Sequence, residues 1–220
     1  GGKVQIEERF GSNTGTGFSW GTVVHSWFEQ IKWLESPIPS IESLTASAPA
    51  QERWMLGGEK LRTAAESFIE AICSDSIRAL LTKPDGQVTV LNEQSFAVRV
   101  PKGTDFSSVS MDEVVDLQGS IDRLVVFYGE DGKPIRADVI DWKTDTFDEN
   151  ERVEKIEHYA PQLASYRFAA SKLLGLDPNQ ISTKLVFLKT KEIVEIGKHS
   201  NLLKNRSRYF ELWNMQLEAS

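Results

Sequence analysis

The chain of 220 residues contains a single cysteine, Cys73. One cysteine can form neither an internal disulfide nor a cysteine-only metal site, and this low usage suits a reducing, cytoplasmic compartment. Cys73 falls among Phe68, Ile72 and Ile77, which recur at helical spacing. The pattern predicts a small core residue rather than a nucleophile.

Long apolar runs are also missing. No stretch approaches the ~20 apolar residues of a membrane span, so we expect no membrane association. No basic segment followed by an apolar segment opens the chain, as a secretory signal would. There is no P-loop and no His-Glu-x-x-His helix, although the chain has three histidines. The leading Gly1-Gly2 pair indicates a domain excised from a longer protein.

The charge balance is acidic, with a net charge of -7 and a pI of about 5.1. This argues against a domain that holds nucleic acid by bulk positive charge. It leaves open a site built from carboxylates, because bound divalent cations reverse the local field.

The apolar periodicity predicts one domain over residues 20–220, preceded by a flexible leading segment over residues 1–19. The order is helix, helix, three strands, helix, strand, helix, which predicts an α/β fold with a mixed central sheet flanked by helices. The first part of the chain is predicted to be helical, with a helix from Gly21 to the residues before Pro37, a linker at 40–48, and a helical stretch at 49–81 with a possible break at Gly57-Gly58. The middle part is predicted to contain a strand or hairpin at 88–100, a loop at 101–110, and strands at 114–128 and 135–143. The last part is predicted to contain a helix at 156–173, strands at 181–188 and 193–196, and a last helix at 201–217.

Two carboxylates and a lysine fall on one predicted hairpin. Asp131-Gly132 is a turn signal between two strands, and this turn places Asp122 opposite Asp141. Side chains alternate along a strand, so Asp141 and Lys143 share a face. The alternative without a catalytic role is that these residues form a surface ion pair. A pair of glycosidase carboxylates is a further alternative, but it leaves the lysine unexplained.

This set suits phosphodiester hydrolysis. Carboxylates hold hard cations such as Mg²⁺, which polarise a phosphoryl oxygen and lower the pKa of a bound water. A neighbouring lysine can orient that water or stabilise the transition state.

Further short motifs occur in a fixed order around the hairpin, and each is weak alone. They are Gly21-Thr22-Val23-Val24-His25 with Phe28-Glu29, then Glu93-Gln94-Ser95-Phe96, Gly119-Ser120-Ile121-Asp122, Asp141-Trp142-Lys143, and Tyr159 with Gln162-Leu163 and Tyr166. The ordered series resembles the RecB/AddA-type branch of the PD-(D/E)XK nuclease superfamily, which implies a restriction-endonuclease-like fold.

The resemblance implies a role for each matching residue. His25, Glu93, Asp122 and Asp141 match metal ligands, although a core histidine and a solvated hairpin charge are the alternatives for His25 and Glu93. Asp122 and Asp141 are also implied in catalysis, as is Lys143. Gln162 and Tyr166 match a helix motif that holds a phosphate or the lysine, and Tyr159 extends their face or packs half-buried. The branch with four cysteines and an iron–sulfur cluster is excluded.

The implied activity is that of a Mg²⁺-dependent deoxyribonuclease similar to exonuclease V, with Mn²⁺ as a substitute metal. The implied partners are DNA, in single-stranded form, a helicase motor in the same chain, and a second helicase–nuclease subunit. The implied role is DNA end processing in recombinational repair. Two alternatives stay open: an inactive DNA-binding module of the same fold, and a stand-alone nuclease.

Overall fold

The computed structural model describes residues 3–5, 18–34, 37–106, 109–110 and 113–196. The helices in this part of the chain are α1 (Phe18–Gln30), α2 (Ile41–Ser47), α3 (Ala50–Cys73), α4 (Asp75–Leu81) and α5 (Arg152–Leu174), with a 3₁₀ turn at Pro178–Gln180. The strands are β1 (Lys3–Gln5), β2 (Val88–Val100), β3 (Asp105–Phe106), β4 (Val109–Ser110), β5 (Val115–Tyr128), β6 (Pro134–Lys143), β7 (Ile181–Phe187) and β8 (Glu192–Ile196). None of these helices is long and apolar enough to cross a membrane.

A six-stranded mixed sheet forms the centre of the described structure, with β5 in its middle. β2 runs antiparallel to β5 from Val88 to Val100 and so occupies one edge of β5. The other edge of β5 pairs first with β1, in parallel, and then with β6, antiparallel from Arg123 onward. β6 and β7 are parallel, and β8 closes the far edge antiparallel to β7. The predicted mixed sheet flanked by helices is therefore confirmed.

The sheet separates two apolar cores. The α5-side core includes Leu117, Val139, Leu163 and Phe187. The α1-side core packs α1 to α4 against the other face and includes Trp27, Phe68, Ile140 and Trp142. The rings of Phe28 and Trp142 stack with centroids 4.0 Å apart, a geometry worth about 1 kcal/mol beyond the area buried. Residues 140 and 142 thus point away from α5, while 139, 141 and 143 point toward it.

Helix α5 is the crossover between the parallel strands β6 and β7. Parallel neighbours cannot be joined by a tight turn, so the chain has to cross over one face of the sheet. Tyr159, Leu163 and Tyr166 are buried, which is the spacing of one helix face. The helix ends at Gly175, whose φ of 67° is the left-handed cap conformation that glycine adopts without strain.

Both β2 and β5 exchange their faces at one cross-strand position. Strict alternation along β5 would place Arg123 on the same face as Ile121. Instead, Leu124 lies with Ile121 in the α5-side core. In β2, Val90 packs in the α1-side core but Phe96 packs in the α5-side core. The exchange is centred on Glu93, which has a φ of 48°, a conformation that non-glycine residues seldom adopt.

Several sequence predictions differ from the structure. The predicted linker at 40–48 contains the short helix α2, because Ser40 caps its first turn and Leu44 is buried. For the 88–100 segment, the structure confirms the strand and not the hairpin of the two predicted alternatives. The 101–110 loop contains the small β3–β4 pair.

One helix break falls at the predicted place, and a second break is not predicted by the sequence. Gly57, with a φ of 71°, interrupts α3, and a second break at Ser74 separates α3 from α4. Cys73 is exposed, which contradicts the predicted core position. Phe68 and Ile72 lie one turn apart on the buried face of α3, and Cys73 is rotated about 100° away from Ile72.

Two predictions fall wholly or partly beyond the described residues. The last helix at 201–217 lies outside them. Within the predicted leading segment, β1 is a strand of the central sheet, α1 begins at Phe18, and the remaining residues lie outside the description.

Candidate metal centre and active site

Three side chains from three elements meet at the point where β5 and β6 separate. His25 comes from α1, Glu93 from β2 and Asp122 from β5, and one ligand atom of each lies within 4.8 Å of the others. His25 Nδ1 is 3.8 Å from Glu93 Oε1 and 3.6 Å from Asp122 Oδ2. Sequence reasoning had proposed all three as metal ligands, and the structure brings them together.

The strand pairing explains why Asp122 is available. Arg123 pairs with Ile140 in the β5–β6 ladder. One residue further, the backbone N–H of Trp142 donates to Asp122 Oδ2 at 2.8 Å. The Asp122 side chain therefore takes the position of a ladder partner, and the strands diverge beyond it. The predicted register, with Asp122 beside Asp141, follows from the same ladder.

Asp141 and Lys143 lie at the end of β6 on the face toward α5. Lys143 Nζ is 2.9 Å from Asp141 Oδ2, an ion-pair distance. The carboxylate is 1% exposed, and within the described part of the chain its Oδ2 accepts no aligned hydrogen bond. A buried carboxylate oxygen with unused acceptor capacity is costly unless a cation or a water completes it.

Three side chains hold the Lys143 ammonium: Asp141, Gln162 and Tyr159. Its Nζ donates to Gln162 Oε1 at 2.9 Å, and Gln162 Nε2 donates to the Tyr166 hydroxyl at 3.1 Å. Its Nζ also lies 4.4 Å from the ring centroid of Tyr159, within cation–π range. Gln162 and Tyr166, which sequence reasoning had placed on one helix face, therefore reach the lysine.

Asp145 was missed by sequence reasoning. The Tyr159 hydroxyl donates to Asp145 Oδ2 and so fixes the ring beneath Lys143. Asp145 stands two residues beyond Lys143, and this proximity was the only available signal in the sequence.

The carboxylates of the site shift the pKa values of their neighbours. Burial alone would lower the pKa of His25, but Asp122, Glu93 and Asp141 raise it to about 9. Burial raises the pKa of Asp122 to about 7, with His25 opposing and Asp141 adding to the rise. The neighbouring His25 lowers the pKa of Glu93. The site thus attracts a cation, and a proton on His25 neutralises part of the negative charge of the carboxylates.

The pKa of Lys143 is also shifted. Burial alone would lower it, but Asp141 and Asp122 overcome the burial and raise the pKa of the ammonium above its ordinary value. Lys143 is therefore a cation at neutral pH.

The donor set fits a divalent cation. Ligands that bind one ion at about 2.1 Å lie roughly 3 to 4 Å apart, and the two measured separations from His25 Nδ1 fall within that range. Asp141 is outside the three-residue group of ligand atoms. Its carboxylate is buried beside this group, where it is paired with Lys143.

An α/β sheet that presents carboxylates and a lysine at diverging strand ends is the restriction-endonuclease-like architecture. The sequence model of the PD-(D/E)XK nuclease superfamily matches residues 5–217, and the chain belongs to this superfamily. Its members are generally metal-dependent nucleases. A search of curated proteins finds no match.

Proposed function

We propose that this protein is a metal-dependent deoxyribonuclease that hydrolyses phosphodiester bonds. The observation that carries the proposal is the meeting of His25, Glu93 and Asp122 beside the Asp141–Lys143 pair. A structural ion pair would not require a half-buried imidazole and two further carboxylates at the same strand ends.

In the proposed mechanism, His25, Glu93 and Asp122 would hold the cation, and Asp141 would supply a further carboxylate beside them. A bound divalent cation polarises the phosphoryl oxygen and lowers the pKa of a coordinated water. His25 would hold the ion as the neutral imidazole, with its proton released to solvent, because only the neutral form is a ligand.

Lys143 acts as a fixed positive charge. Because its pKa is raised, the ammonium stays protonated, which suits the stabilisation of negative charge on the phosphate and not the removal of a proton. Gln162, Tyr166 and the Tyr159 ring hold Lys143 in place, so little reorganisation accompanies the reaction.

We propose Mg²⁺ as the working ion and Mn²⁺ as its substitute. Carboxylate oxygens suit both ions, whereas the imidazole of His25 favours the softer Mn²⁺. Mn²⁺ is therefore expected to bind more tightly than Mg²⁺. The substitution His25→Ala is expected to reduce the difference in affinity between the two ions.

We further propose a RecB/AddA-type role in DNA end processing and recombinational repair, in which a helicase motor delivers single-stranded DNA in the cytoplasm. The ordered motifs from His25 to Tyr166 support this role. The net charge of -7 is consistent with it, because tethering to a motor supplies a high effective concentration where bulk attraction does not. A stand-alone nuclease is the second candidate, and dependence of cleavage on a motor distinguishes the two.

A cleavage assay tests the proposal. Labelled single- and double-stranded DNA is incubated with wild type or Asp141→Ala in Mg²⁺, Mn²⁺ or EDTA. We expect metal-dependent cleavage by wild type only. Undiminished cleavage in EDTA or by Asp141→Ala would contradict the proposed site. DNA binding without cleavage would indicate the inactive module.

A further inference from the structure

The C-terminal end of α1 is held by a side chain from β2. Asn92 Nδ2 lies within hydrogen-bond distance of three carbonyl oxygens, at 3.3 Å from Phe28, 2.9 Å from Glu29 and 3.0 Å from Ile31. The Phe28 carbonyl also accepts from the Ile31 N–H, but the last carbonyls of a helix otherwise have no partner within the helix, so an outside donor satisfies them. Asn92 supplies this donor and fixes the position of α1 along its own axis.

A buried arginine from β5 holds the same helix end. Arg123 is 1% exposed, and its guanidinium donates to the carbonyls of Ile31 at 2.8 Å and Lys32 at 2.6 Å. It also donates to Asn92 Oδ1 at 3.2 Å, which fixes the orientation of the amide. Burial lowers the pKa of Arg123 to about 10, and among the described residues no carboxylate pairs with it.

The position of this cation matches the field of the helix. The C-terminal end of a helix carries a partial negative charge, so a guanidinium placed there is stabilised without an acid. Burying a cation remains unfavourable relative to an apolar side chain of similar volume. Its presence at this point favours a geometric role over a purely stabilising one.

The two clamp residues, Asn92 and Arg123, are chain neighbours of two proposed metal ligands. Asn92 precedes Glu93, Arg123 follows Asp122, and Asn92 and Arg123 are cross-strand partners. In each strand, one residue turns to the end of α1 and its neighbour turns to His25, which lies on the same helix. The face exchange at Glu93 makes this arrangement possible.

We propose that Asn92 and Arg123 are positioning residues that set His25 against Glu93 and Asp122, so that metal affinity depends on two side chains that do not touch the metal. This inference rests on the proposed metal centre. The remaining contacts of α1 with the sheet include the stacking of Phe28 on Trp142, and such apolar packing tolerates small sliding. The bonds to the helix carbonyls are directional, and they determine where His25 stands.

A double-mutant cycle tests the proposal. Mn²⁺ affinity is measured by electron paramagnetic resonance titration, which reads millimolar dissociation constants, for Asn92→Leu in the wild-type and His25→Ala backgrounds. We expect Asn92→Leu to weaken Mn²⁺ binding about ten- to hundredfold in wild type. In the His25→Ala background we expect a change below about twofold, because the group that Asn92 positions is gone.

Two further variants separate positioning from stability. Arg123→Lys keeps the charge but loses the two-pronged contact, and we expect it to weaken Mn²⁺ binding in the same direction. Val194→Ala creates a cavity on β8, at the edge of the sheet remote from β2, and serves as the matched control. We expect it to lower the Tm while leaving the Mn²⁺ dissociation constant unchanged.

The outcomes are distinguishable. Equal losses in both backgrounds, no loss in either, or the same loss in Val194→Ala would overturn the positioning role. A wild type that binds no Mn²⁺ would overturn both this inference and the metal centre. A wild type that binds Mn²⁺ with the expected coupling but cleaves no DNA would leave this inference standing and remove the proposed activity.

Discussion

Strand β6 carries two aspartate–lysine contacts of nearly equal length, and they differ in almost everything else. Lys184 Nζ lies 2.8 Å from Asp138 Oδ2, and Lys143 Nζ lies 2.9 Å from Asp141 Oδ2. Asp138 is three residues from Asp141 and therefore faces the other side of the sheet. It also accepts from Ser182 Oγ at 2.7 Å, so both of its oxygens have donors.

The surroundings, and not the pair itself, separate the two contacts. Asp138 is 19% exposed and fully bonded, whereas Asp141 is 1% exposed with an oxygen that accepts no aligned hydrogen bond. Asp141 also has His25, Asp122 and Lys143 within electrostatic reach. A satisfied pair stabilises the fold, while an incompletely satisfied buried pair is a candidate for chemistry.

The largest expected contrast is between Asp141→Ala and Asp138→Ala. We expect the first to lower the cleavage rate by at least about 10³-fold, because it removes a proposed cation oxygen and the partner of Lys143. We expect the second to change the rate less than about twofold and to cost about 1–3 kcal/mol of stability. Initial rates with Mn²⁺ and denaturant unfolding measure the two effects. Equal activity losses would remove the distinction.

The matching lysine variants come next. Lys143→Ala is expected to lower turnover about 10²- to 10³-fold while Mn²⁺ binding persists, because the ammonium stabilises charge and is no ligand. Lys184→Ala is expected to leave turnover unchanged. Single-turnover rates at saturating Mn²⁺, with a parallel Mn²⁺ titration, provide the measurement. Loss of Mn²⁺ binding in Lys143→Ala would contradict the assigned role.

A smaller effect is expected from the residues that hold Lys143. Gln162→Leu and Tyr166→Phe remove the hydrogen bonds behind the ammonium, and we expect turnover to fall about tenfold in each. Ser165→Ala is the control, because this buried hydroxyl donates to the Gln162 carbonyl of its own helix at 2.6 Å and not to the lysine. Turnover is measured by steady-state kinetics. The same loss of turnover in Ser165→Ala as in the other two variants would contradict the role of Gln162 and Tyr166 in holding Lys143.

The last effect is on stability and not on rate, and it concerns pH and the metal-free protein. The pKa of His25 is raised from 6.5 to about 9, so its stabilising contribution is complete below pH 6.5 and is lost as the pH rises through 9. The pKa of Asp122, raised from 3.8 to about 7, acts in the same direction over a lower pH range.

Between pH 6.5 and 9, the free energy of unfolding in EDTA is therefore expected to fall by about 2 kcal/mol. The variant His25→Gln/Asp122→Asn should show a much flatter dependence. Urea unfolding at fixed ionic strength measures both. A wild type that gains stability over this range would show that the sign of the shift is wrong.

The strand pair was predictable from local signals. The Asp131-Gly132 turn and the alternation of apolar residues predicted that Asp122 lies beside Asp141, and the Arg123–Ile140 pair confirms that register. Turn chemistry and period-two burial act over a few residues, so a single sequence carries them. The contact of Asp141 with Lys143 followed from the same alternation.

The rest of the site depends on long-range packing. Nothing in the sequence near Glu93 predicts a φ of 48°, because the conformation arises from the joint face exchange of β2 and β5. The clamp on α1 joins residues 61 to 92 positions apart. Its members, Asn92 and Arg123, resemble ordinary strand polar residues until the helix end that they bind is known.

Anomalous diffraction from crystals soaked in Mn²⁺ tests the central claim most directly. The account predicts a peak bounded by His25 Nδ1, Glu93 and Asp122, with Asp141 Oδ2 facing it, and loss of that peak in Asp122→Asn. The account would be contradicted if the protein cleaves DNA with Mn²⁺ but its crystals show no anomalous peak at these residues.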